Sequence, residues 1–247
     1  MTLKDFVLSI EGLTVSFDGF KAVNDVSLYV EQGALHVVIG PNGAGKTTLL
    51  DLICGKTRPT AGSINFLGHE LTQMPEQKIV QAGVGRKFQT PSIYPALTVF
   101  ENLEISFPRG RSVFGALTFK RDKAVMERVH DIADMIFLKD QLDTLGEVLS
   151  HGQKQWLEIG MLLIADPELL LLDEPVAGMS VDERQQTGDL LNKICKERSV
   201  LIIEHDMNFV REIAHRVTVL HQGAVLAEGS MEHIETNEKV IEVYLGH

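Results

Sequence analysis

The chain has 247 residues, of which 44% are hydrophobic, so it is long enough to bury a substantial core. Its formal net charge of −11 argues against a general nucleic-acid binder, because such proteins usually carry a positive excess. Cys54 and Cys195 lie far apart and form no CxxC pair, which indicates reduced structural thiols. No stretch approaches the roughly 18 apolar residues that span a bilayer, so we expect any role at a membrane to depend on a partner.

The N-terminal zone, residues 8–66, consists of short runs that alternate apolar and polar residues between glycine-containing turns. This pattern predicts an antiparallel sheet. Within the zone, the run ALHVVIG is continuously apolar, ends in a glycine-rich turn and is followed by KTTLLDLICG. We interpret it as a buried parallel strand that leads into a helix and so begins an α/β core.

The turn after this strand matches the phosphate-binding pattern GxxxxGK[ST]. Its glycines let successive backbone N–H groups point at phosphate oxygens, and the following helix adds its positive end. Lys46 is suited to the β- and γ-phosphates, and the Thr47 hydroxyl to Mg²⁺. A chance glycine turn is the alternative, but the strand and helix around it are the context that the motif requires. The predicted ATP-binding residues here are Gly40, Pro41, Asn42, Gly43, Ala44, Gly45, Lys46, Thr47 and Thr48.

The middle zone has the helical spacing KAVMERVHDIADMI and a loop, FPRGRSVFGALTFKRD, which together indicate a helical insertion. We therefore predict a core at 1–89 and 158–247 with a helical subdomain at 90–157, all within one domain. Gln89 stands at the junction, where its amide could ligate Mg²⁺ or water, although alone it would be an ordinary surface glutamine. The segment TPSIYPALTVFENL after it is predicted either to grip a short helix of a partner or to pack inside the insertion.

Three strands resume the core: ELLLLDEP, SVLIIEHD and RVTVLHQGAVLAEG, with the helix VDERQQTGDLLNKICKE after the first. A buried strand that ends in two carboxylates indicates a cation or a reacting group nearby. Asp173 suits Mg²⁺ and Glu174 suits the general base, unless both are solvated acids at an exposed strand end. His205 is most simply a structural histidine, but its strand end should share the same crevice, so we predict a γ-phosphate role.

Together these motifs resemble the nucleotide-binding subunits of ABC transporters. The resemblance implies an α/β fold: a P-loop NTPase (RecA-like) core with an N-terminal antiparallel β subdomain and an inserted helical subdomain. It implies that Phe17 stacks on adenine, although a lone strand phenylalanine would otherwise be assigned to the core. It also implies that the signature motif completes the ATP site of the opposite subunit; here that motif is Leu149, Ser150, His151, Gly152 and Gln153.

Two positions depart from the family pattern. His151 replaces a glycine of the signature and adds bulk beside the γ-phosphate contact, but we expect closure of the dimer to survive. Ser180 stands where many relatives carry the D-loop aspartate that links the two sites, so direct coupling through that residue is not expected.

The resemblance further implies an ATPase that uses ATP and Mg²⁺ and is peripheral at the cytoplasmic face of the inner or plasma membrane. Its expected partners are a second ATP-binding subunit, in a head-to-tail hetero- or homodimer, membrane permeases and, indirectly, a periplasmic binding protein. The wording LSHGQKQWLEIGMLL is most similar to urea-type members, so urea or a short amide is the predicted solute, with branched-chain amino acids as the alternative. A GTPase is excluded because NKIC lacks the aspartate of NKxD, whereas a non-transport ABC ATPase and a non-hydrolysing regulatory module stay open, though less favoured.

Overall fold

The computed structural model describes residues 6–87, 92–108 and 122–245. Contacts divide the chain into two compact units, the first comprising 1–86, 168–174 and 191–247 and the second comprising 87–167 and 175–190. The sequence-based helical subdomain at 90–157 stays a prediction, and the second unit extends beyond it at both ends. Gln89 and most of the loop FPRGRSVFGALTFKRD lie outside the described residues.

The first unit contains two sheets. One has the strand order β2-β1-β4-β5 and is antiparallel, as the sequence predicts; its strands are β1 (Phe6–Phe17), β2 (Phe20–Glu31), β4 (Ala61–Phe66) and β5 (His69–Glu70). The other has the order β10-β9-β3-β8-β7-β6, with β3 (Leu35–Ile39), β6 (Val84–Lys87), β7 (Leu169–Asp173), β8 (Ser199–Ile203), β9 (Arg216–His221) and β10 (Ala224–Gly229). The helices of this unit are α1 (Lys46–Ile53), α2 (Glu76–Ala82), α7 (Met207–Ile213), α8 (Met231–Glu235) and α9 (Glu238–Leu245).

The second sheet brings the predicted motif segments to one edge. Strand β3 pairs in parallel with β8 and β9, and β8 pairs in parallel with β7, while β10 runs antiparallel to β9. All five residues of β3, β7 and β8 are buried, as their continuous apolar runs predict. Because the carboxyl ends of parallel strands lie at the same edge, the segments that follow β3, β7 and β8 begin there.

Helix α1 connects the two sheets through one hydrophobic core. Its buried residues Leu49, Leu50, Leu52 and Ile53 belong to the same cluster as side chains from β1, β3, β4 and β7. The cluster anchors α1 behind the glycine-rich turn, and that turn is therefore held at both of its ends.

The second unit is helical, built from α3 (Val99–Ile105), α4 (Lys123–Met135), α5 (His151–Leu163) and the first part of α6 (Val181–Ile194). Helices α3, α4 and α5 contact one another, and Gly160 permits the approach, since a Cβ there would lie 2.5 Å from Ile136 Cδ1. Among the described residues, no helix combines the length and apolar character needed to cross a membrane. Cys54 and Cys195 are free and buried, and burial raises the pKa of the Cys195 thiol to about 12.

Candidate functional site

The glycine-rich turn occupies the space between β3 and α1 and fits only glycine at two positions. A Cβ at Gly40 would lie 2.2 Å from the Leu220 carbonyl oxygen, and one at Gly45 would lie 2.4 Å from the Ala22 carbonyl oxygen. Gly43 has a φ of +79° and nothing within 4 Å of its Cβ position, so that side of the turn is open. The backbone is packed on one side and accessible on the other, as a phosphate cradle requires.

The start of α1 supplies the positive charge of this phosphate cradle. Its N-cap, Gly45, makes no side-chain cap, so the first N–H groups of the helix, at Lys46 to Thr48, are left for another acceptor. Lys46 Nζ donates to the carbonyl oxygens of Gly40, at 2.7 Å, and Pro41, at 3.1 Å. Partial burial lowers the pKa of Lys46, while the carboxylates of Glu174 and Asp173 act in the opposite direction. The turn therefore fits the phosphates of a nucleotide.

The segments after β7 and β8 bring together Glu174 and His205. His205 Nδ1 lies 3.3 Å from Glu174 Oε1, and the His205 side chain is 63% exposed. Glu174 has a φ of 46°, which an L-residue seldom adopts, and its N–H donates to the Ile203 carbonyl oxygen at 3.0 Å. This bond fixes the backbone so that the carboxylate turns out of the strand and towards the imidazole.

Oxygen atoms suited to Mg²⁺ lie at the same edge of the sheet. Asp173 ends β7 with 3% exposure and pairs with Ile203, which also pairs with Val38 of β3, while the hydroxyl-bearing Thr47 is exposed. No group of three or more His, Cys, Asp or Glu side chains suited to a metal occurs among the described residues. One carboxylate and one hydroxyl fit Mg²⁺, which commonly completes its shell with phosphate oxygens and water. The predicted ligand Gln89 lies outside the described residues.

Phe17 ends β1 at a two-residue turn formed by Asp18 and Gly19, both with positive φ. Its side chain is 48% exposed, so the core alternative for this residue is wrong. An exposed aromatic ring at a hairpin tip is available for stacking, and the adenine role stays a prediction.

The signature residues lie in the second unit. Ser150 caps α5: its hydroxyl accepts from Gln153 N–H at 3.2 Å, and its own N–H donates to the Gln153 side chain at 2.9 Å. The same hydroxyl donates to Glu183 Oε1 at 3.3 Å. Leu149 is buried beside the cap, and a Cβ at Gly152 would lie 2.3 Å from that glutamate oxygen, so a side chain there would displace the carboxylate. These bonds and this packing orient the Ser150 hydroxyl.

His151 turns towards the segment after β7. Its Nε2 lies 3.0 Å from the Ala177 carbonyl oxygen and 3.3 Å from the side-chain nitrogen of the buried Gln155. Glu183 is a partner of the signature that none of the sequence motifs above predicts. The signal that could have found it is the string SVDE, Ser180 to Glu183, which has the S-x-x-E spacing of a capping box.

Comparison with known proteins gives two family matches: ABC transporter over residues 23–177, and Branched-chain amino acid ATP-binding cassette transporter over residues 224–247. The chain belongs to the ABC transporter family. It is 36% identical to the high-affinity branched-chain amino acid transport ATP-binding protein BraF of Pseudomonas aeruginosa, over 97% of this chain and 98% of that protein. It is 34% identical to the corresponding protein LivG of Escherichia coli K12, with the same coverage.

Among solved structures, the ADP conformation of MJ1267, an ATP-binding cassette of an ABC transporter, is 30% identical with a TM-score of 0.86 and covers 98% of this chain and 99% of that one. A nucleotide-free cassette of an ABC transporter is 29% identical with the same TM-score, covering 98% and 100%. The predicted fold class is confirmed. The chain is an ATPase coupled to transport, as the sequence implies.

Proposed function

We propose that this ATPase powers the import of branched-chain amino acids. The observation that carries the proposal is the similarity to BraF and LivG over 97% of the chain, together with the family match at residues 224–247. The similarity favours branched-chain amino acids over urea, because the urea prediction rests on sequence wording alone. The site that we describe binds nucleotide and not solute, so only the assembled transporter can distinguish the two solutes.

In the proposed reaction, the glycine-rich turn and Lys46 hold the ATP phosphates. Thr47 and Asp173 would hold Mg²⁺, which would supply positive charge to the phosphate oxygens when bound. Glu174 accepts a proton from the attacking water, and His205, 3.3 Å from that carboxylate, orients the water and the γ-phosphate. The exposed imidazole can turn to the substrate without breaking any backbone bond, because only its side chain moves.

Residues of the signature act on the ATP of the second cassette in this proposal. The Ser150 hydroxyl and the N–H groups at the start of α5 are anion-binding groups. Ser150→Arg is expected to prevent ATP-dependent closure while leaving ATP binding at the glycine-rich turn of the same chain intact.

We further propose that the loop before α3 docks a membrane permease at the cytoplasmic face. Tyr94 and Pro95 are exposed, while Leu97 and Phe100 are half-buried. The buried Asn102 fixes this loop, because its amide donates to the carbonyl oxygens of Tyr94, Leu97 and Thr98 and accepts from Tyr94 N–H. A rigid loop with exposed apolar side chains suits a short partner helix.

The test is uptake into vesicles that hold the chain with its permeases, second cassette and binding protein. We expect ATP-driven uptake of labelled leucine, and none with Glu174→Gln in the same assembly. ATP-driven uptake of urea without leucine would instead support the urea prediction. Tyr94→Ala with Leu97→Ala should abolish uptake and spare ATP binding; normal uptake would place the docking surface elsewhere.

A further inference from the structure

Helices α5 and α6 begin beside each other, and one carboxylate serves both N-termini. Ser180 precedes α6, its hydroxyl accepts from Glu183 N–H at 3.3 Å, and its own N–H donates to Glu183 Oε2 at 2.9 Å. The other oxygen of the same carboxylate, Oε1, accepts from the Ser150 hydroxyl at 3.3 Å. The positive ends of two helix dipoles therefore share one negative side chain, which stabilises their approach.

Further contacts hold these two helix starts together, and we call residues 150–156 and 177–187 the signature block. His151 reaches the Ala177 carbonyl oxygen at 3.0 Å. Trp156 Nε1 donates to Thr187 Oγ1 at 2.9 Å, and that hydroxyl donates to the Glu183 carbonyl oxygen at 2.8 Å. Because these hydrogen bonds join the two helix starts at several positions, the Glu183 carboxylate stays beside Ser150.

The Ser150 hydroxyl has a single hydrogen, and Glu183 already takes it. Its oxygen also accepts from Gln153 N–H, so the rotation of the hydroxyl is constrained. A phosphate that approaches the start of α5 must therefore displace Glu183 from this hydrogen, and it meets a like charge while doing so.

We propose that Glu183 competes with the phosphate of the second cassette's ATP for the Ser150 hydroxyl, and that Ser150 exchanges one anion for the other when the cassettes close. This inference rests on the proposed role of Ser150 across the interface. Glu183 is a positioning residue: before closure it orients the hydroxyl and neutralises both helix ends. Its bond to Ser180 N–H uses the other oxygen, so we expect that bond to remain when the Ser150 hydroxyl turns to phosphate.

The test measures the ATP concentration that gives half-maximal hydrolysis by the assembled transporter. We expect Glu183→Gln to lower it by about two- to fivefold, the range of an exposed charge interaction. The matched control is Asp182→Asn, which removes the same charge one position earlier on the same helix, and we expect it to leave the value unchanged. If Glu183→Gln leaves the value unchanged or raises it, Glu183 does not compete with phosphate and the inference fails.

A second variant pair shows whether the effect passes through Ser150. In a Ser150→Ala background the hydroxyl is absent, so adding Glu183→Gln should cause no further change. An equal decrease in that background overturns the exchange. If Ser150→Ala alone changes nothing, the failure lies instead in the proposed role of Ser150 across the interface.

Trp156 reports on the integrity of the block, because it is the only tryptophan of the chain and lies 5% exposed against Thr187. Unchanged emission from Glu183→Gln in the full chain means that the block is intact and that the kinetic result applies. If the emission shifts, Glu183→Asp replaces Glu183→Gln in the kinetic test. The aspartate keeps the charge, but its shorter side chain reaches less far towards Ser150. A smaller decrease in the same direction is then expected, and an increase contradicts the proposal.

Discussion

The glycine-rich turn and the signature block hold their phosphate-binding groups in different ways. In the turn, the Lys46 ammonium donates to two carbonyl oxygens of its own loop, at 2.7 and 3.1 Å. In the block, the Ser150 hydroxyl donates to a carboxylate at 3.3 Å. The first group is a charged donor with neutral acceptors, and the second is a neutral donor with a charged acceptor.

The difference has consequences for ATP. A phosphate displaces carbonyl oxygens from an ammonium favourably, because the new hydrogen bond joins opposite charges and is roughly twice as strong as one between neutral groups. The same phosphate must displace a like charge from Ser150. The glycine-rich turn is therefore suited to bind nucleotide by itself. The signature block is suited to bind phosphate only when other contacts between the two cassettes offset the loss of the hydrogen bond between Ser150 and Glu183.

Glu174→Gln is expected to produce the largest effect and to isolate binding from chemistry. Glutamine keeps the shape of the side chain but cannot accept the proton, so we expect hydrolysis to fall by about 10²- to 10⁴-fold while ATP stays bound and closure accumulates. Single-turnover hydrolysis and light scattering with Mg-ATP measure the two properties. The control is Glu197→Gln, a carboxylate on a 72% exposed side chain. Hydrolysis at the wild-type rate in Glu174→Gln would remove the general-base role.

Lys46→Ala tests whether the glycine-rich turn binds ATP through the Lys46 ammonium. It removes the cation of the turn and its hydrogen bonds to phosphate, so we expect ATP affinity to fall by about 10- to 100-fold. Equilibrium binding of a labelled ATP analogue measures the change. Lys56→Ala, which removes a 55% exposed ammonium a few residues beyond α1, should bind like the wild type. If Lys46→Ala does so too, the turn does not hold the phosphates through this side chain.

The sequence predicts the first site better than the second because of how far apart the interacting residues lie. Residues 40–47 form a local motif, and β3, α1, β7 and β8 follow from uninterrupted apolar runs and helical spacing. The pairing of Glu174 with His205 then follows from the parallel order of strands, which places both strand ends at one edge.

Local sequence patterns do not predict contacts between residues that lie far apart in the chain. Ser150 and Glu183 are separated by 33 positions, and His151 and Ala177 by 26. The buried ion pair of Lys87 and Glu158, 3.4 Å apart, was also missed, since neither position shows helical or strand periodicity that demands a charge. Burial raises the pKa of Glu158, and the neighbouring Lys87 acts in the opposite direction.

Gly152→Ala tests the close contact between Gly152 and the Glu183 carboxylate in the signature block. The new Cβ would lie 2.3 to 3.0 Å from atoms of the Glu183 carboxylate, so the carboxylate must shift and its bonds to Ser150 and Ser180 are weakened. We expect a loss of about 1–2 kcal/mol in the free energy of unfolding. Denaturant unfolding followed by Trp156 emission measures it.

The control for Gly152→Ala is the same change combined with Glu183→Ala, which removes the side chain that clashes. Alanine is then favoured over glycine in a helix by up to about 1 kcal/mol, so the effect of residue 152 should change sign. A stabilising Gly152→Ala in the otherwise wild-type chain would contradict the contact.

Acid should weaken the signature block slightly, and this is the smallest expected effect. The Ser180 N–H lowers the pKa of Glu183 most strongly, with burial opposing it and the hydroxyls of Ser180 and Ser150 and the ring of His151 adding smaller decreases. Because the folded pKa lies below the ordinary value of 4.5, the stabilisation is complete above that value and is lost as pH falls through the lowered folded value.

The stability difference between the wild type and Glu183→Gln should therefore be constant near neutral pH and shrink in acid. Carbon-detected NMR titration of the Glu183 carboxyl gives its pKa directly. Ser150→Ala should raise this pKa only a little, because the Ser180 N–H remains as the dominant donor. If the Glu183 pKa in the wild type equals that of an unfolded glutamate, the carboxylate does not hold the two helix ends. A large increase in Ser150→Ala would instead make Ser150 the principal donor, and the exchange with phosphate would then cost more than the exposed pair suggests.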